Sequence, residues 1–120
     1  MGHNRAEKLA GALRKKISQI LQGELRDPRI GIVTITEVKV AKDLKYATVY
    51  FSVLGGEKEK KSAGIGLDRA TGFIKRIIAK EMILRCVPEI KFRFDETFEY
   101  GQRVNELLEK IKKEEEERNT

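Results

Sequence analysis

The feature that most constrains this chain is a helical repeat of apolar residues in its second half. Residues on this repeat recur every three or four positions, the spacing of one buried helix face; they are Leu67, Ala70, Ile74, Ile77 and Ile78. Near the start of the repeat, Thr71 and Gly72 follow Ala70, and both residue types weaken a helix. The sequence therefore predicts a bent helix pair over about 66–86. We expect its direction to change between Ala70 and Phe73, with Ala70 tightly packed.

The opposite side of the same repeat is basic. At 100° per residue, one stripe away from the isoleucines contains Arg69, Gly72, Arg76 and Lys80. A glycine among cations allows close approach, and a helix N-terminus at the bend would favour an anion through its free N–H groups and its dipole. This arrangement suits a phosphate backbone. An ordinary solvated face with a packing glycine explains the same pattern.

Length and residue counts narrow the class of protein. A chain of 120 residues suits one domain that folds without disulfides. The single cysteine, Cys86, is expected to be a small buried hydrophobe, and one histidine cannot build a Cys/His metal cluster. No apolar run reaches the length of a membrane span and no signal-peptide core is seen. We expect a soluble, cytoplasmic protein without a metal or cofactor.

The net charge of +6 is unevenly distributed. Residues 106–120 carry a net charge of −2, which leaves +8 on residues 1–105. A basic body of this size indicates nucleic acid or acidic lipid as a partner, and no long amphipathic segment with aromatic anchors favours lipid. Nucleic acid is the predicted partner.

Helical and extended patterns fill the rest of the chain. The first helix is predicted from Arg5 to Gln22, with Asn4 and Glu7 as a capping pair and with Lys8 and Lys15 on its outer face. Pro28 ends the helical pattern. Residues 54–66 contain four glycines and a charged run, which predict a mobile loop.

Three strands are predicted, and the first contains an irregularity. Its apolar residues change parity within 32–40, which a β-bulge between Thr36 and Val38 would reconcile. The second strand, near 46–53, alternates apolar residues with polar ones and two tyrosines. The tyrosines could stack bases or simply cover the outer face of the sheet. The third strand follows Pro88, and a last helix follows Gly101 before an acidic end expected to fray.

This element order predicts an α+β fold with two layers. The first two strands are joined by a short turn and should pair antiparallel, whereas a helical crossover makes the second and third parallel. The helices then cover one face of a three-stranded mixed sheet. We predict one body over residues 5–98, followed by a C-terminal helix and a charged, partly disordered tail over 99–120.

Several motifs in this order resemble the bacterial ribosome-binding factor A family, which has a type II KH fold. The resemblance covers about residues 5–110. The matching motifs are D-P-R-I-G from Asp27, V-T-I-T-E-V from Val33, D-L-x-x-A-x-V-Y from Asp43, A-T-G-F-I-K-R from Ala70, and L-R-x-x-P-E-I-x-F from Leu84.

The resemblance implies a function and a place for it. Members of that family associate with the small ribosomal subunit during late maturation of 16S ribosomal RNA, and matter most in the cold. In them A-x-G at the interhelical kink replaces the G-x-x-G loop of ordinary KH domains, which calls into question the usual clamping of four nucleotides. The RNA-binding or ribosome-binding residues expected here are Lys8, Lys15, Arg69, Ala70, Thr71, Gly72, Lys75, Arg76 and Lys80. We expect a monomer that binds no membrane.

Two other classes of function stay open. An enzyme would need a catalytic set, and the sequence offers only Asp27, Asp43 and Asp95 as acid and base candidates, each at a turn or strand end. We expect no catalytic activity. A generic single-stranded RNA-binding module or a protein-binding adaptor is the other alternative. RNA binding should weaken steeply with salt, and apolar protein contacts should not.

Overall fold

The structure, a computed structural model, describes residues 2–23, 25 and 27–118, with only the backbone described for residues 2–4 and 99. Six elements follow one another: α1 Gly2–Gln22, β1 Val33–Val40, β2 Tyr46–Val53, α2 Glu57–Glu81, β3 Glu89–Phe94 and α3 Glu96–Arg118. The predicted capping pair of the first helix includes Asn4, whose side chain lies outside the described residues. None of the helices in these ranges is long and apolar enough to cross a membrane.

The three strands form one mixed sheet in the order β1-β2-β3. β1 and β2 pair antiparallel, and β2 and β3 pair parallel across the α2 connection, as predicted. α1 packs mainly on β1 and α2 on β3 and β2. Both helices share one apolar core with the sheet, so the predicted two-layer α+β fold is confirmed.

The predicted bulge is present in β1, one residue earlier than expected. Ile35 pairs with Phe51, but the next pair joins Glu37 to Tyr50, so Thr36 is the extra residue. Because of this slip, Ile35 and Val38 are both buried against the helices despite their odd spacing.

The bulge also positions the start of α3. The Thr36 hydroxyl donates to Asp95 Oδ2 over 2.5 Å, and Asp95 Oδ1 accepts the Phe98 N–H over 2.9 Å. Asp95 is thus the N-cap of α3, which begins at Glu96 and not after Gly101 as predicted. The Thr36 hydroxyl and, less strongly, the α3 amides lower the pKa of the Asp95 carboxyl.

The core is built from the predicted apolar faces. Its fully or nearly buried side chains from the helices are Leu13, Ile17, Ile20, Ala63, Leu67, Ala70, Ile74 and Ile78, and those from the sheet include Ile35, Val38, Ala47, Val49, Phe51 and Ile90. Ala70 is 8% exposed, which confirms that it packs on the isoleucine side.

The predicted division of this stretch into two helices at Gly72 is wrong. α2 is one continuous helix of 25 residues that runs through all three of its glycines, Gly64, Gly66 and Gly72. Each glycine costs about 1 kcal/mol relative to alanine. Burying Leu67, Ile74 and Ile78 completely contributes about 1.5–3 kcal/mol for each side chain, which outweighs that cost.

The predicted mobile loop over 54–66 is also wrong, because α2 begins at Glu57. The Gly56 N–H donates to Glu59 Oε2 over 2.9 Å, as in a capping box, and both glutamates of the first turn favour the positive end of the helix dipole. Ala63 is completely buried, so this part of the helix belongs to the core. Only a short connection, residues 54–56, separates β2 from α2.

One further expectation is corrected after α2. Cys86 is exposed, and the buried position in this segment belongs to Pro88. The acidic run at Glu114–Glu117 is part of α3, which ends at Arg118, and fraying of this end stays a prediction. α3 extends away from the sheet and the other two helices. The molecule as a whole is 63 Å long but only 20 Å thick. The division into a body over 5–98 and a C-terminal part over 99–120 stays a prediction.

Candidate nucleic-acid interface

The outer side of α2 carries the predicted basic stripe. Arg69, Gly72, Arg76 and Lys80 are all exposed, and because the helix is unbroken their spacing places them along one line. Lys58 and Lys61, which the sequence assigned to a mobile loop, are exposed on the same side of the first turns. The stripe therefore extends along most of α2.

The first helix adds cations to the same layer. Lys8 and Lys15 are exposed on the side of α1 that faces away from the core. An ion pair from Lys16 Nζ to Glu81 Oε2, 3.1 Å long, joins α1 to the last residue of α2. This contact bridges the two helices, and its residues Lys16 and Glu81 are the sequence neighbours of the exposed Lys15 and Lys80.

Gly72 is open but is not at a helix N-terminus. A Cβ built on Gly72 would have no neighbouring heavy atom within 4 Å. Its amide is part of the interior of a continuous helix, so no free N–H group is available there for an anion. The prediction that a helix N-terminus at Gly72 helps to bind an anion is therefore wrong. What remains at this position is open space between exposed cations.

Three of the predicted site residues do not lie on the exposed stripe. Ala70 is buried beneath it. The Thr71 hydroxyl donates to the Leu67 carbonyl of its own helix over 2.9 Å. Lys75 lies on the side of β3, where its Nζ is 2.9 Å from Glu89 Oε1. The structure thus brings together the exposed cations and Gly72, and places these three behind or beside them.

The segment after α1 packs against the first half of α2. The Ser62 hydroxyl donates to the Arg29 carbonyl over 2.7 Å, and a Cβ on Gly66 would stand only 2.7 Å from Ile30 Cγ1. Arg29 and Asp27 form a two-point ion pair, with N–O distances of 3.1 and 3.0 Å. The D-P-R-I-G motif, Asp27–Gly31, therefore forms a loop that packs against α2, and we call it the docked loop.

The charge of Arg69 reaches this loop. The Arg29 side chain and amide lower the pKa of the Asp27 carboxyl most, and Arg69 adds a smaller electrostatic contribution in the same direction. Arg29 is itself exposed. The docked loop therefore places an Arg29–Asp27 ion pair beside the α2 stripe, which sequence spacing alone did not reveal.

Three exposed apolar residues on the helix layer, Ile65, Phe73 and Ile83, were not singled out from the sequence. Phe73 is 37% exposed and Ile83, just beyond α2, is fully exposed. The sequence contained one indication that Phe73 is exposed, because this residue falls outside the repeat of Leu67, Ile74 and Ile78. An aromatic ring beside cations is a feature of protein surfaces that bind single-stranded nucleic acid.

The three aspartates considered as acid and base hold backbone turns instead. Each carboxylate accepts a hydrogen bond from a backbone N–H two or three residues later. The pairs are Asp27 with Arg29 at 3.0 Å, Asp43 with Lys45 at 3.0 Å, and Asp95 with Phe98 at 2.9 Å. Within the described residues, no group of three or more His, Cys, Asp and Glu side chains could hold a metal ion.

Known proteins are similar to this chain in sequence and in fold. Residues 5–108 match the model of the family described as Ribosome-binding factor A. Ribosome-binding factor A of Halothermothrix orenii is 47% identical over 116 residues, covering 97% of this chain and 95% of that protein. A solution NMR structure of a Thermotoga maritima protein, described as a ribosome binding factor A, is 41% identical with a TM-score of 0.67, covering 74% of this chain and 85% of that one.

A third similar structure belongs to a complex. It is a Thermus thermophilus ribosome binding factor A homology model fitted into a cryo-EM map of a 30S complex. It is 25% identical to this chain with a TM-score of 0.59, and it covers 69% of this chain and 87% of its own. Given the family match over most of its length and the shared α+β fold, this chain belongs to the ribosome-binding factor A family.

Proposed function

We propose that this protein binds the small ribosomal subunit during its assembly by contacting 16S ribosomal RNA, and that it assists late processing of that RNA. The observation that carries the proposal is the line of exposed cations along α2, flanked by those of α1. Such a surface suits phosphates, which supply much of the affinity of proteins for nucleic acid. The relative fitted into a 30S complex supports the choice of partner.

In this proposal the RNA backbone crosses the helix layer at Gly72. The phosphates contact Lys8, Lys15, Arg69, Arg76 and Lys80, and the open surface at Gly72 allows the closest approach. Ala70 and Thr71 support the stripe from the core side, and Lys75 can join it only by releasing Glu89. The protein acts in the cytoplasm as a monomer, without a cofactor, and is needed most at low temperature.

Charge removal on the helix layer tests the site. Arg76→Ala/Lys80→Ala should weaken co-sedimentation with the small subunit and lower the salt slope by about 2, roughly one unit for each phosphate that is no longer neutralised. The matched control is Lys112→Ala/Lys113→Ala, which removes the same charge from the exposed end of α3. Equal weakening by both variants would show that net charge, not this stripe, governs binding.

Substitution at Gly72 tests the crossing point. Gly72→Asp places a carboxylate in the open space, and we expect subunit binding to fall tenfold or more through repulsion of the phosphate. Stability should change little, because aspartate has a slightly better helix propensity than glycine. Gly72→Ala adds a methyl group without charge and should bind nearly as the parent does. If the aspartate variant binds like the parent, no phosphate approaches Gly72.

A protein-binding adaptor is the second candidate, and α3 provides the observation that favours it. Leu107, Leu108 and Ile111 are 58%, 59% and 44% exposed on this helix. An apolar partner surface would give binding that changes little with salt, whereas RNA binding should weaken steeply. A generic single-stranded RNA module would bind unrelated RNA as tightly as the subunit.

The processing role has its own test. Cells depleted of the endogenous factor should accumulate precursor 16S RNA and grow slowly in the cold, and the parent chain should correct both defects. Arg76→Ala/Lys80→Ala should correct them poorly at equal protein level. Full correction by this variant would separate processing from the helix layer.

A further inference from the structure

The face of the sheet opposite α1 and α2 carries aligned basic and aromatic side chains. β-Pairing places Lys39, Thr48 and Lys91 in one row across the three strands, and Glu37, Tyr50 and Arg93 in the next. Directly paired residues project from the same face of a sheet. Since Val49 and Phe51 of β2 are buried towards the helices, these rows and Tyr46 form the outer face.

The outer face is exposed and basic. Lys39, Lys91 and Arg93 are exposed, and Tyr46 is 61% exposed. The acidic residues that the strands place on this face are Glu37 and Glu89, and Glu89 is paired with Lys75 of α2 at 2.9 Å. Asp95 and Glu96 follow β3 and add two carboxylates at the Tyr50 end of the face. The strands therefore place three cations on this face against two carboxylates, one of which is already paired.

Tyr50 lies between two hollows at the end of this face. Its ring is covered in part by Lys39, whose Nζ is 5.4 Å from the ring centroid. A hollow of about 530 Å³ on the β1 side is lined by Glu37, Lys39, Tyr50 and Asp95 among others. Another of about 450 Å³ on the β3 side is lined by Tyr50, Arg93, Asp95 and Glu96 among others.

The chemistry of the two hollows suits nucleobases. Each combines part of an aromatic ring with one cation and two carboxylates. A carboxylate can accept a hydrogen bond from an exocyclic amino group of a base, and an aromatic ring can stack on any base. The hydroxyl and amide donors around Asp95 keep its pKa low, so this carboxylate is an acceptor at neutral pH.

We propose that the outer face of the sheet binds a single strand of RNA, with bases stacked on Tyr46 and Tyr50 and phosphates held by Lys39, Lys91 and Arg93. The two tyrosines are four residues apart on one strand, about 13 Å at the rise of a β-strand, so they serve different nucleotides. The inference rests on the proposed function for the choice of RNA as ligand. It adds a second surface, opposite the helix layer, so that the domain lies between two RNA segments.

The composition of the outer face favours RNA over a protein partner. Protein interfaces have an apolar core rich in large side chains. The residues that the three strands place on this face are charged, hydroxyl-bearing or tyrosine, with no aliphatic side chain among them: Thr34, Glu37, Lys39, Tyr46, Thr48, Tyr50, Ser52, Glu89, Lys91 and Arg93.

Intrinsic fluorescence provides a direct test. The chain has three tyrosines and no tryptophan, so Tyr100→Phe leaves only the two tyrosines of the outer face. Titration of this full-length variant with unstructured oligouridylate and oligocytidylate should quench tyrosine emission saturably, in step with the anisotropy of a labelled RNA. In that background Tyr46→Leu should weaken binding about fivefold or more, whereas Tyr46→Phe keeps the ring and the affinity.

Charge removal on the sheet gives a second, independent readout. Lys91→Gln/Arg93→Gln should reduce the slope of log affinity against log salt by about 1.4, the amount for two contacts to a single strand. Circular dichroism and urea unfolding of each variant verify that it folds. A slope that stays unchanged would contradict the assigned phosphate contacts.

The outcomes separate this inference from the proposed function. RNA binding without tyrosine quenching, and with Tyr46→Leu equal to Tyr46→Phe, would overturn the outer-face site and leave the helix layer in place. Quenching together with normal subunit binding by Arg76→Ala/Lys80→Ala would support the outer face and contradict the helix layer. Subunit binding with no RNA binding at all would indicate a protein contact and overturn both.

Discussion

The two halves of α2 contain the same residue type in opposite situations. Gly66 is buried, and a Cβ there would stand 2.7 Å from Ile30 Cγ1 and 3.5 Å from the Ile30 amide nitrogen. Gly72, six residues later, has no neighbour within 4 Å of such a Cβ. One glycine is required by close packing, and the other leaves a gap in a cationic surface. A glycine in a helical sequence therefore does not by itself show a bend.

The difference arises from what lies across each half. The docked loop after α1 covers the first half, with Ile30 only 5% exposed. The outer side of the second half is bare and basic along Arg69, Arg76 and Lys80. Both halves bury apolar residues against the sheet, but only the first half also packs against the loop after α1.

The largest expected effect concerns the docked loop. Ile30→Ala should lower the free energy of unfolding by about 2–5 kcal/mol, because it removes a buried side chain and leaves a cavity beside Gly66. Ile32→Ala is the matched control, since Ile32 is 66% exposed, and should stay within about 0.5 kcal/mol. Urea unfolding measures both. Equal destabilisation by the two variants would show that the loop is not held by burial of Ile30.

The next effect tests the close approach at Gly66. Gly66→Ala should destabilise by about 1 kcal/mol, because overpacking costs roughly 1–3 kcal/mol and alanine regains about 1 kcal/mol of helix propensity. Combined with Ile30→Ala, which removes the opposing Cγ1, the substitution should cost less than the sum of the single changes. Additive effects in this double-mutant cycle would exclude the contact as the cause.

Gly72→Ala should have the opposite sign. With open space for its methyl group in a continuous helix, it should stabilise the protein by about 0.5–1 kcal/mol. Thermal unfolding would show a higher midpoint than that of the parent. A lower midpoint would indicate that the helix is interrupted at Gly72 after all.

The smallest effect is the pH dependence of the docked loop. The pKa of Asp27 is lowered from an ordinary value of 3.8, chiefly by its hydrogen bonds with Arg29. The ionised carboxylate therefore stabilises the fold above pH 3.8, and this contribution is lost as the pH falls through the lowered pKa. The stability difference between the parent and Asp27→Asn should be present at pH 7 and shrink below about pH 4. Arg29→Gln should weaken this dependence in unfolding experiments at the two pH values. A difference that does not change with pH would place the role of Asp27 in shape and not in charge.

Much of the fold and part of the site could be predicted from local patterns. The period of the apolar residues predicted α1 and the three strands, because one buried face must repeat at the period of its element. The lengths of the connections predicted how the strands pair. The same reasoning located the β1 bulge to within one residue and placed Arg69, Arg76 and Lys80 on one exposed line. Sequence order alone also indicated that Asp27, Asp43 and Asp95 serve turns and caps.

Interactions between distant segments decided the rest. Local propensity predicted a bend at Gly72 and a loop over 54–66, but burial of Ala63, Leu67 and Ile74 against the sheet keeps α2 continuous. The need for glycine at position 66 comes from Ile30, which is 36 residues away along the chain. By itself, the sequence determined which faces of the elements are apolar and which are charged, because that periodicity is local. Only the tertiary structure decided which glycine is packed, which cation is paired, and which side chains meet across the outer face of the sheet, because those depend on partners far apart in the chain.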